Sequence, residues 1–153
     1  MEIKDKSVKE LDALSQDIRD RIIDVVSRKG GHFSSTLGAV ELTLGMHYVF
    51  DVYSDPFIFD VSHQCYPHKL LTGRWEEFET VRQFGGLSGF TKPKESPADY
   101  FVAGHSSTSI SLAVGAAKAI ALKKENRVPV VMIGDGSMTA GMVYEALNEL
   151  GDI

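Results

Sequence analysis

The sequence predicts an α/β fold with a mostly parallel sheet. Two apolar runs with the length of buried strands, residues 56–62 and residues 128–134, each end in small and polar residues. Segments with the apolar spacing of helices lie before and after these runs. Strands that alternate with helices are typical of βαβ units, in which neighbouring strands run parallel. The length of 153 residues and the hydrophobic content of 43% suit one domain or part of one.

The first two elements are predicted to be helices. Apolar residues at spacings of three and four define one face of a helix over residues 8–26, and they are Val8, Leu11, Leu14, Ile18, Ile22 and Val25. Gly30 is expected to end this helix. A second helix is predicted to begin near Thr36, because the same spacing recurs in Leu37, Val40, Leu44 and His47. The loop GGHFSST joins the two.

The middle of the chain is predicted to contain one buried strand and long loops. The run PFIFDVS reads as the strand, and the corner SHQCYPHK follows it. Residues 73–83 favour a short helix, whereas residues 84–97 are rich in glycine and proline and favour a loop.

The last third of the chain contains two corners that follow apolar segments. The first is Gly-His-Ser-Ser at residues 104–107, and a helix rich in alanine, serine and glycine comes after it. The strand VPVVMIG then leads into an acidic turn at residues 134–136 and a helix start. One apolar stripe is predicted for this last helix, made of Met138, Met142, Ala146 and Leu150.

The acidic turn predicts a metal-bridged diphosphate site. In open α/β sheets, ligands bind beyond the carboxyl ends of the strands, where the N–H groups of a helix start attract anions. Gly134 and Gly136 permit close approach of a ligand, but Asp135 would repel a phosphate unless a cation such as Mg²⁺ lay between them. The turn is not a GxGxxG or GK[ST] motif, because Thr139 interrupts the first and the second is missing. An Asp-Gly turn without any ligand stays open as an alternative.

Histidines recur at corners beside small residues. They are His32, His63 and His105, with His68 closing the second corner. An imidazole can donate to phosphate oxygens or exchange protons near neutral pH, although a solvent-facing histidine is the alternative for each one alone. His47 is expected to serve packing or an interface. A zinc site of His63, Cys65 and His68 is a weak alternative, because these ligands lie close together in an irregular loop.

Composition disfavours several other classes of function. The formal net charge of −5 and the pI near 5.5 disfavour nucleic acid and anionic membrane surfaces as partners. A single cysteine cannot form an internal disulfide. No apolar run reaches the roughly 20 residues of a membrane span, and the charged start lacks the apolar core of a signal peptide. The sequence therefore predicts a cytoplasmic protein.

Five segments together resemble the 1-deoxy-D-xylulose-5-phosphate synthase family of the transketolase superfamily. GDGSMTAGMVYEALN resembles the thiamine-diphosphate motif of the superfamily, which opens with Gly-Asp-Gly. The other segments are GGHFSSTLGAVELTLGMHYVF, DVSHQCYPHKLLTGR, RQFGGLSGF and GHSSTSISLAVGAA. Because they occur in the right order over nearly the whole chain, the resemblance is specific.

The resemblance implies a parallel-sheet thiamine-diphosphate-binding (transketolase-like) fold, present here in incomplete form. It implies a homodimeric cytoplasmic enzyme that decarboxylates pyruvate and joins the two-carbon unit to D-glyceraldehyde 3-phosphate. This reaction is the first step of non-mevalonate isoprenoid precursor synthesis, and its product also feeds thiamine and pyridoxal phosphate formation.

The same resemblance assigns roles to individual residues. Asp135 is expected to ligate Mg²⁺, and Gly136 and Ser137 to contact the cofactor's diphosphate. Four further residues are expected to line the cofactor site, namely His63, Gly104, His105 and Ser106. The expected catalytic residues are His32, which would transfer protons toward the substrate, and His68 and Arg82.

The chain departs from the family pattern in two residues and in length. Ser62 and Cys65 stand where the family usually has glycine and often alanine, and both changes are small. The resemblance implies that residues 1–153 are the N-terminal part of the diphosphate-binding domain, without the pyrimidine-binding and C-terminal domains and without the motif's asparagine. We therefore expect this chain alone to be catalytically silent. We also expect exposed apolar surface that favours self-association or a companion segment.

Two other functions stay open. A transketolase-type ketol transferase is disfavoured, because GGHF, YPHK and GHSSTS fit the synthase better. A noncatalytic remnant that binds a cofactor or partner without turnover is the second, and the intact Asp135 and histidine corners argue against it.

Overall fold

Six α-helices and two β-strands are present in the computed structural model, which describes residues 2–151. The helices are α1 (Val8–Lys29), α2 (Ser34–Leu37), α3 (Val40–Val49), α4 (Tyr66–Leu71), α5 (Ser109–Lys123) and α6 (Gly141–Leu150). The strands are β1 (Phe57–Phe59) and β2 (Val130–Met132). Short 3₁₀ helices cover Glu77–Thr80 and Ser137–Thr139. No helix in this part of the chain is both long and apolar enough to cross a bilayer.

The chain forms two units, and the first contains residues 2–51 and 63–89. In this unit α1 packs against α3 and α4. A capping box starts α1, because Ser7 Oγ accepts from the Glu10 N–H while a Glu10 carboxylate oxygen accepts from the Ser7 N–H. The predicted apolar face is buried at Leu14, Ile18, Ile22 and Val25, whereas its first residue, Val8, is 82% exposed. The predicted first helix is thereby confirmed.

The second predicted helix is wrong in its continuity. Instead of one helix from near Thr36, the chain forms α2 and then α3, with Gly38 and Ala39 between them. The backbone of Ala39 departs from helical geometry, with φ −104° and ψ 5°. The apolar spacing survives this break, since Val40, Leu44 and His47 are all buried. Periodicity alone therefore located the buried face but not the interruption.

The second unit contains residues 52–62 and 90–151 and holds the sheet. β1 and β2 pair in parallel, with Phe57, Ile58 and Phe59 opposite Val130, Val131 and Met132. α5 packs against both strands and against α6. The parallel pairing predicted from the alternation of strands and helices is confirmed.

The apolar stripe predicted for the last helix is wrong at three of its four positions and right at Ala146. Met138 lies in a 3₁₀ helix, Ala140 is extended, and α6 begins only at Gly141. The buried residues of α6 are Val143 and Ala146, three positions apart, whereas Met142 and Leu150 are 48% and 45% exposed. The later start removes Met138 from the helix, and Ala146 is the one residue of the predicted stripe that is buried.

Candidate functional site

The corner at residues 104–107 is linked within the second unit to Ser137, which directly follows the acidic turn at residues 134–136. Ser107 Oγ donates to the carbonyl oxygen of Ser137 at 2.8 Å. The turn itself closes when the Ser137 N–H donates to the carbonyl of Gly134 at 3.0 Å. Two segments about 30 residues apart in sequence are therefore held together, as expected for groups that bind one ligand.

Asp60 accepts hydrogen bonds from the end of this corner, and the sequence analysis did not identify it. It follows β1, is 1% exposed, and accepts from the N–H of Ser107 at 2.9 Å and of Ser109 at 3.2 Å. Ser109 Oγ also donates to it at 2.7 Å. Burial alone would raise the pKa of Asp60, but the hydrogen bonds from Ser109 and Ser107 hold that pKa below its usual value. Asp60 is therefore an ionised cap at the N-terminus of α5.

The backbone of both segments is accessible to a ligand. A Cβ atom added to Gly104, Gly134 or Gly136 would meet no heavy atom within 4 Å. Asp135 and His105 are exposed. A cleft of about 580 Å³ opens beside Gly104 and His105, between the first turns of α5 and the start of α6.

The donor set suits Mg²⁺ held jointly by protein and ligand. Within residues 2–151, no three histidine, cysteine, aspartate or glutamate side chains converge to hold a metal ion. Mg²⁺ usually takes one or two carboxylates together with phosphate oxygens and water, which one exposed carboxylate beside an open turn can satisfy. The zinc alternative at His63, Cys65 and His68 lacks support in the same region.

The turn differs from its prediction in one respect that bears on anion binding. A single 3₁₀ turn follows Asp135, and the extended Ala140 separates it from α6. The first N–H groups of α6 therefore do not belong to the acidic turn, and the N-terminus of α5 faces the carboxylate of Asp60. Accessible backbone at the turn replaces the helix terminus that the sequence predicted.

Two predicted histidines meet in the first unit. The ring centroids of His32 and His63 are 5.7 Å apart and the rings are nearly perpendicular. Thr36 Oγ1 donates to the carbonyl oxygen of His63 at 3.1 Å, which fixes the backbone there. The buried Nδ1 of His63 has no hydrogen-bond partner in the described residues, which leaves its hydrogen-bonding capacity unused there.

The surroundings of His32 favour its neutral form. Burial lowers its pKa from the usual value, and the nearby Arg82 and His63 lower it further. A neutral imidazole can accept a proton, which the proposed role of His32 in proton transfer requires.

Tyr66 organises the His32 loop and was also missed by the sequence reasoning. Its hydroxyl accepts from the N–H of His32 at 3.3 Å, and its ring packs edge-on against Phe78. A Cβ at Gly31 would lie only 2.8 Å from this hydroxyl, so residue 31 must be glycine for the loop to keep its place. The signal was present in the motif YPHK, where the histidine drew attention instead.

His68 is not at a loop corner, which corrects the prediction of its surroundings. It lies in α4, which starts at Tyr66 with Pro67 in its first turn, and it is 0% exposed. His68 Nδ1 lies 3.1 Å from Nε2 of the buried His47. A catalytic role for His68 stays a prediction, and such a role would have to be exerted from within this buried pair.

The buried pair predicts a stability that depends on pH. Burial, with a further contribution from His68, lowers the pKa of His47 to about 3. Because the unfolded chain binds the proton first, stability is present above pH 6.5 and falls as the pH drops toward 3. The expected loss between neutral pH and pH 5 is about 2 kcal/mol.

Amide hydrogen exchange in α3 of the full-length protein measures this loss. His47→Gln keeps a polar group near His68 but does not titrate in this range, so its exchange should respond much less to the same change in pH. Equal losses in the two proteins would show that another group is responsible.

Backbone strain lies close to the predicted site residues. In the described part of the chain, the non-glycine residues with positive φ are Val61, Ser62, Arg82, Ser107 and Lys124. All except Lys124 are a predicted site residue or lie within two positions of one. Ser62, with φ 63°, stands where the resemblance expects glycine, the residue that adopts this conformation without strain. Such strain is typical of functional sites.

Residues 1–153 match the family model described as 1-deoxy-D-xylulose-5-phosphate synthase. The chain belongs to the 1-deoxy-D-xylulose-5-phosphate synthase family. A relative of that name from Aliarcobacter butzleri (strain RM4018) is 89% identical over 153 residues, which are 100% of this chain and 26% of that one. A relative of the same name from a Nitratiruptor species is 77% identical over 152 residues, which are 99% of this chain and 25% of that one. The chain thus spans about a quarter of the length of these synthases.

A solved structure confirms the fold expected of this synthase family member. A transketolase mutant from Pichia stipitis, described in complex with xylulose 5-phosphate, matches with a TM-score of 0.71 and 21% identity. The match covers 92% of this chain and 24% of the transketolase chain. The transketolase-like α/β fold is therefore established, in an incomplete form.

Proposed function

We propose that this chain is the N-terminal part of the diphosphate-binding domain of a 1-deoxy-D-xylulose-5-phosphate synthase. The complete enzyme would be a thiamine-diphosphate-dependent transferase that decarboxylates pyruvate and condenses the two-carbon unit with D-glyceraldehyde 3-phosphate. The family match over residues 1–153 is the observation that carries this proposal. The identity of 89% to a protein of that name supports it.

The cofactor and metal would be held by residues of the second unit. Thiamine diphosphate supplies the electron sink for decarboxylation and carbon–carbon bond formation. Asp135 would provide a carboxylate oxygen to Mg²⁺, and Gly136, Ser137, Gly104 and Ser106 would surround the diphosphate. The open backbone at these glycines supports this assignment. His105, exposed on the same corner, would contact the cofactor as well.

The residues of the first unit would handle protons and orientation. Neutral His32 would accept and return a proton at the substrate, and Tyr66 would hold its backbone in place. His63 would offer its buried Nδ1 to the cofactor. Arg82 would contribute positive charge to the catalytic site. His68 would contribute to catalysis from its buried position beside His47.

The finer biological statements belong to the same proposal. The complete enzyme would be a cytoplasmic homodimer, without nucleic acid or membrane partners, and would feed isoprenoid, terpenoid and thiamine synthesis. The pyrimidine-binding and C-terminal domains would complete it. The 153 residues alone would not turn over substrate.

The assay that tests the function uses the full-length protein with thiamine diphosphate and Mg²⁺. We expect CO₂ release from pyruvate that is accompanied by 1-deoxyxylulose 5-phosphate when D-glyceraldehyde 3-phosphate is present. Turnover of a ketose donor without decarboxylation of pyruvate would instead establish a ketol transferase. Cofactor binding without either reaction would establish a noncatalytic protein.

A further inference from the structure

We propose that Asp60 is a positioning residue for the cofactor's diphosphate, acting through Ser107 on both ligand-binding segments of the second unit. Asp60 opens the segment DVSHQCYPHKLLTGR, but the sequence assigned no role to it. The inference rests on the proposed function, since the ligand it concerns is thiamine diphosphate.

The hydrogen bonds to Asp60 determine the path of the chain after the Gly104 corner. Its Oδ1 accepts from the Ser107 N–H, and its Oδ2 accepts from both the N–H and the hydroxyl of Ser109. Ser107 has φ 69°, the left-handed conformation that a serine adopts only when its surroundings hold it there. One buried carboxylate therefore stabilises a strained residue directly beside the predicted ligand Ser106.

Ser107 passes this restraint on to the acidic turn. The hydroxyl of Ser107 donates to the carbonyl oxygen of Ser137 at 2.8 Å. Thr139 Oγ1 donates to the carbonyl oxygen of Gly136 at 2.7 Å, which stiffens the far side of the same turn. The Ser137 side chain also hydrogen-bonds to Asp60. Asp60 therefore restrains the turn directly as well as through the orientation of Ser107, and the Ser107 variants test the second route.

Asp60 acts by positioning rather than by contact. It is 1% exposed, and its charge is directed at the N–H groups that open α5. A carboxylate is needed because both oxygens accept. In Asp60→Asn the amide NH₂ would face either the Ser107 N–H or the two donors of Ser109, so that donor meets donor.

A matched control exists in the same unit. Asp99 is also 1% exposed, and its Oδ2 accepts from the N–H of Lys92 at 2.7 Å. Asp99→Asn therefore removes the charge of an equally buried carboxylate that restrains a different loop. Ser107→Ala removes only the hydroxyl, and Ser107→Gly removes it together with the strain.

The test measures the Kd of thiamine diphosphate at saturating Mg²⁺ by calorimetry on the full-length protein, with the melting temperature of each cofactor-free variant alongside. We expect Asp60→Asn, Ser107→Ala and Ser107→Gly to raise the Kd by about 10-fold or more, the scale typical of residues that orient a ligand's direct contacts. We expect Asp99→Asn to leave the Kd within about twofold at a comparable loss of melting temperature.

Each other outcome contradicts a stated claim. Unchanged affinity in Ser107→Ala and Ser107→Gly would overturn the positioning role, even if Asp60→Asn failed to fold. Equal weakening in Asp99→Asn would show that general destabilisation is the cause, and would overturn it too. If the unmodified protein bound no thiamine diphosphate, the proposed function itself would fail and this inference with it.

Discussion

Replacing Asp135 by alanine in the full-length protein is expected to lower kcat/KM by at least about 100-fold, since residues that only support a metal ligand already contribute roughly 10–100-fold. The dependence of thiamine diphosphate binding on Mg²⁺ should disappear as well. The physical reason is the repulsion between a carboxylate and a diphosphate, which only a bridging cation turns into attraction. Asp135 is exposed, so the loss would not come from unfolding.

Calorimetric titration of thiamine diphosphate with and without Mg²⁺ measures this effect. Glu145→Gln is the control, because it removes one negative charge from an exposed position on α6 in the same unit. Magnesium-dependent binding that survives Asp135→Ala would show that the metal lies elsewhere. A similar loss of magnesium-dependent binding in Glu145→Gln would show that the change in net charge, and not the loss of a metal ligand, causes the effect.

Replacing His32 by glutamine is expected to lower kcat by about 100-fold to 10,000-fold, the contribution typical of a positioned acid or base. Cofactor affinity should change little, because the N–H that binds Tyr66 belongs to the backbone and is retained. Tyr66→Phe removes the hydroxyl that accepts from this N–H and should have a smaller effect on kcat. Equal kcat values for His32→Gln and the unmodified enzyme would exclude proton transfer by His32.

The pH profile of kcat/KM gives an independent check on His32. Because the pKa of His32 is lowered, the acid limb of the profile should lie below the usual histidine value of about 6.5. Arg82 is one cause of that lowering, so Arg82→Gln should raise the pKa and move the acid limb to higher pH. If the acid limb of Arg82→Gln stayed at the same pH, the limb would belong to a group other than His32.

The parts of the fold that follow from local pattern were predictable. The face of α1 and the burial of residues 57–59 came from spacing and apolar runs, which depend only on neighbours in sequence. The break between α2 and α3 did not follow from spacing, because the apolar positions continue in register through it. The start of α6 was misplaced for a similar reason, since Met138 fits the period of a helix it does not belong to.

The sequence predicted the residues of the candidate site that would contact a ligand, but not the residues that hold them in place. Asp135 and His32 stand in motifs whose composition indicates their chemistry. Asp60 and Tyr66 accept hydrogen bonds from Ser107 and His32, which lie 47 and 34 residues away, and no local pattern encodes such distances. A rule that was applied to Asp135, that a polar residue after a buried strand deserves scrutiny, would have found Asp60 as well.

The hydrogen bond between His47 Nε2 and His68 Nδ1 couples the tautomers of the two rings. When both imidazoles are neutral, one of these nitrogens carries a hydrogen and the other accepts it. Both rings must then be protonated at Nε2, or both at Nδ1. The remaining nitrogens, Nδ1 of His47 and Nε2 of His68, consequently have opposite roles, and a group that changes one from acceptor to donor reverses the other. A hydrogen-bond donor that approaches Nδ1 of His47 in α3 therefore makes Nε2 of His68 in α4 a donor, and an acceptor makes it an acceptor. The net charge of the pair does not change.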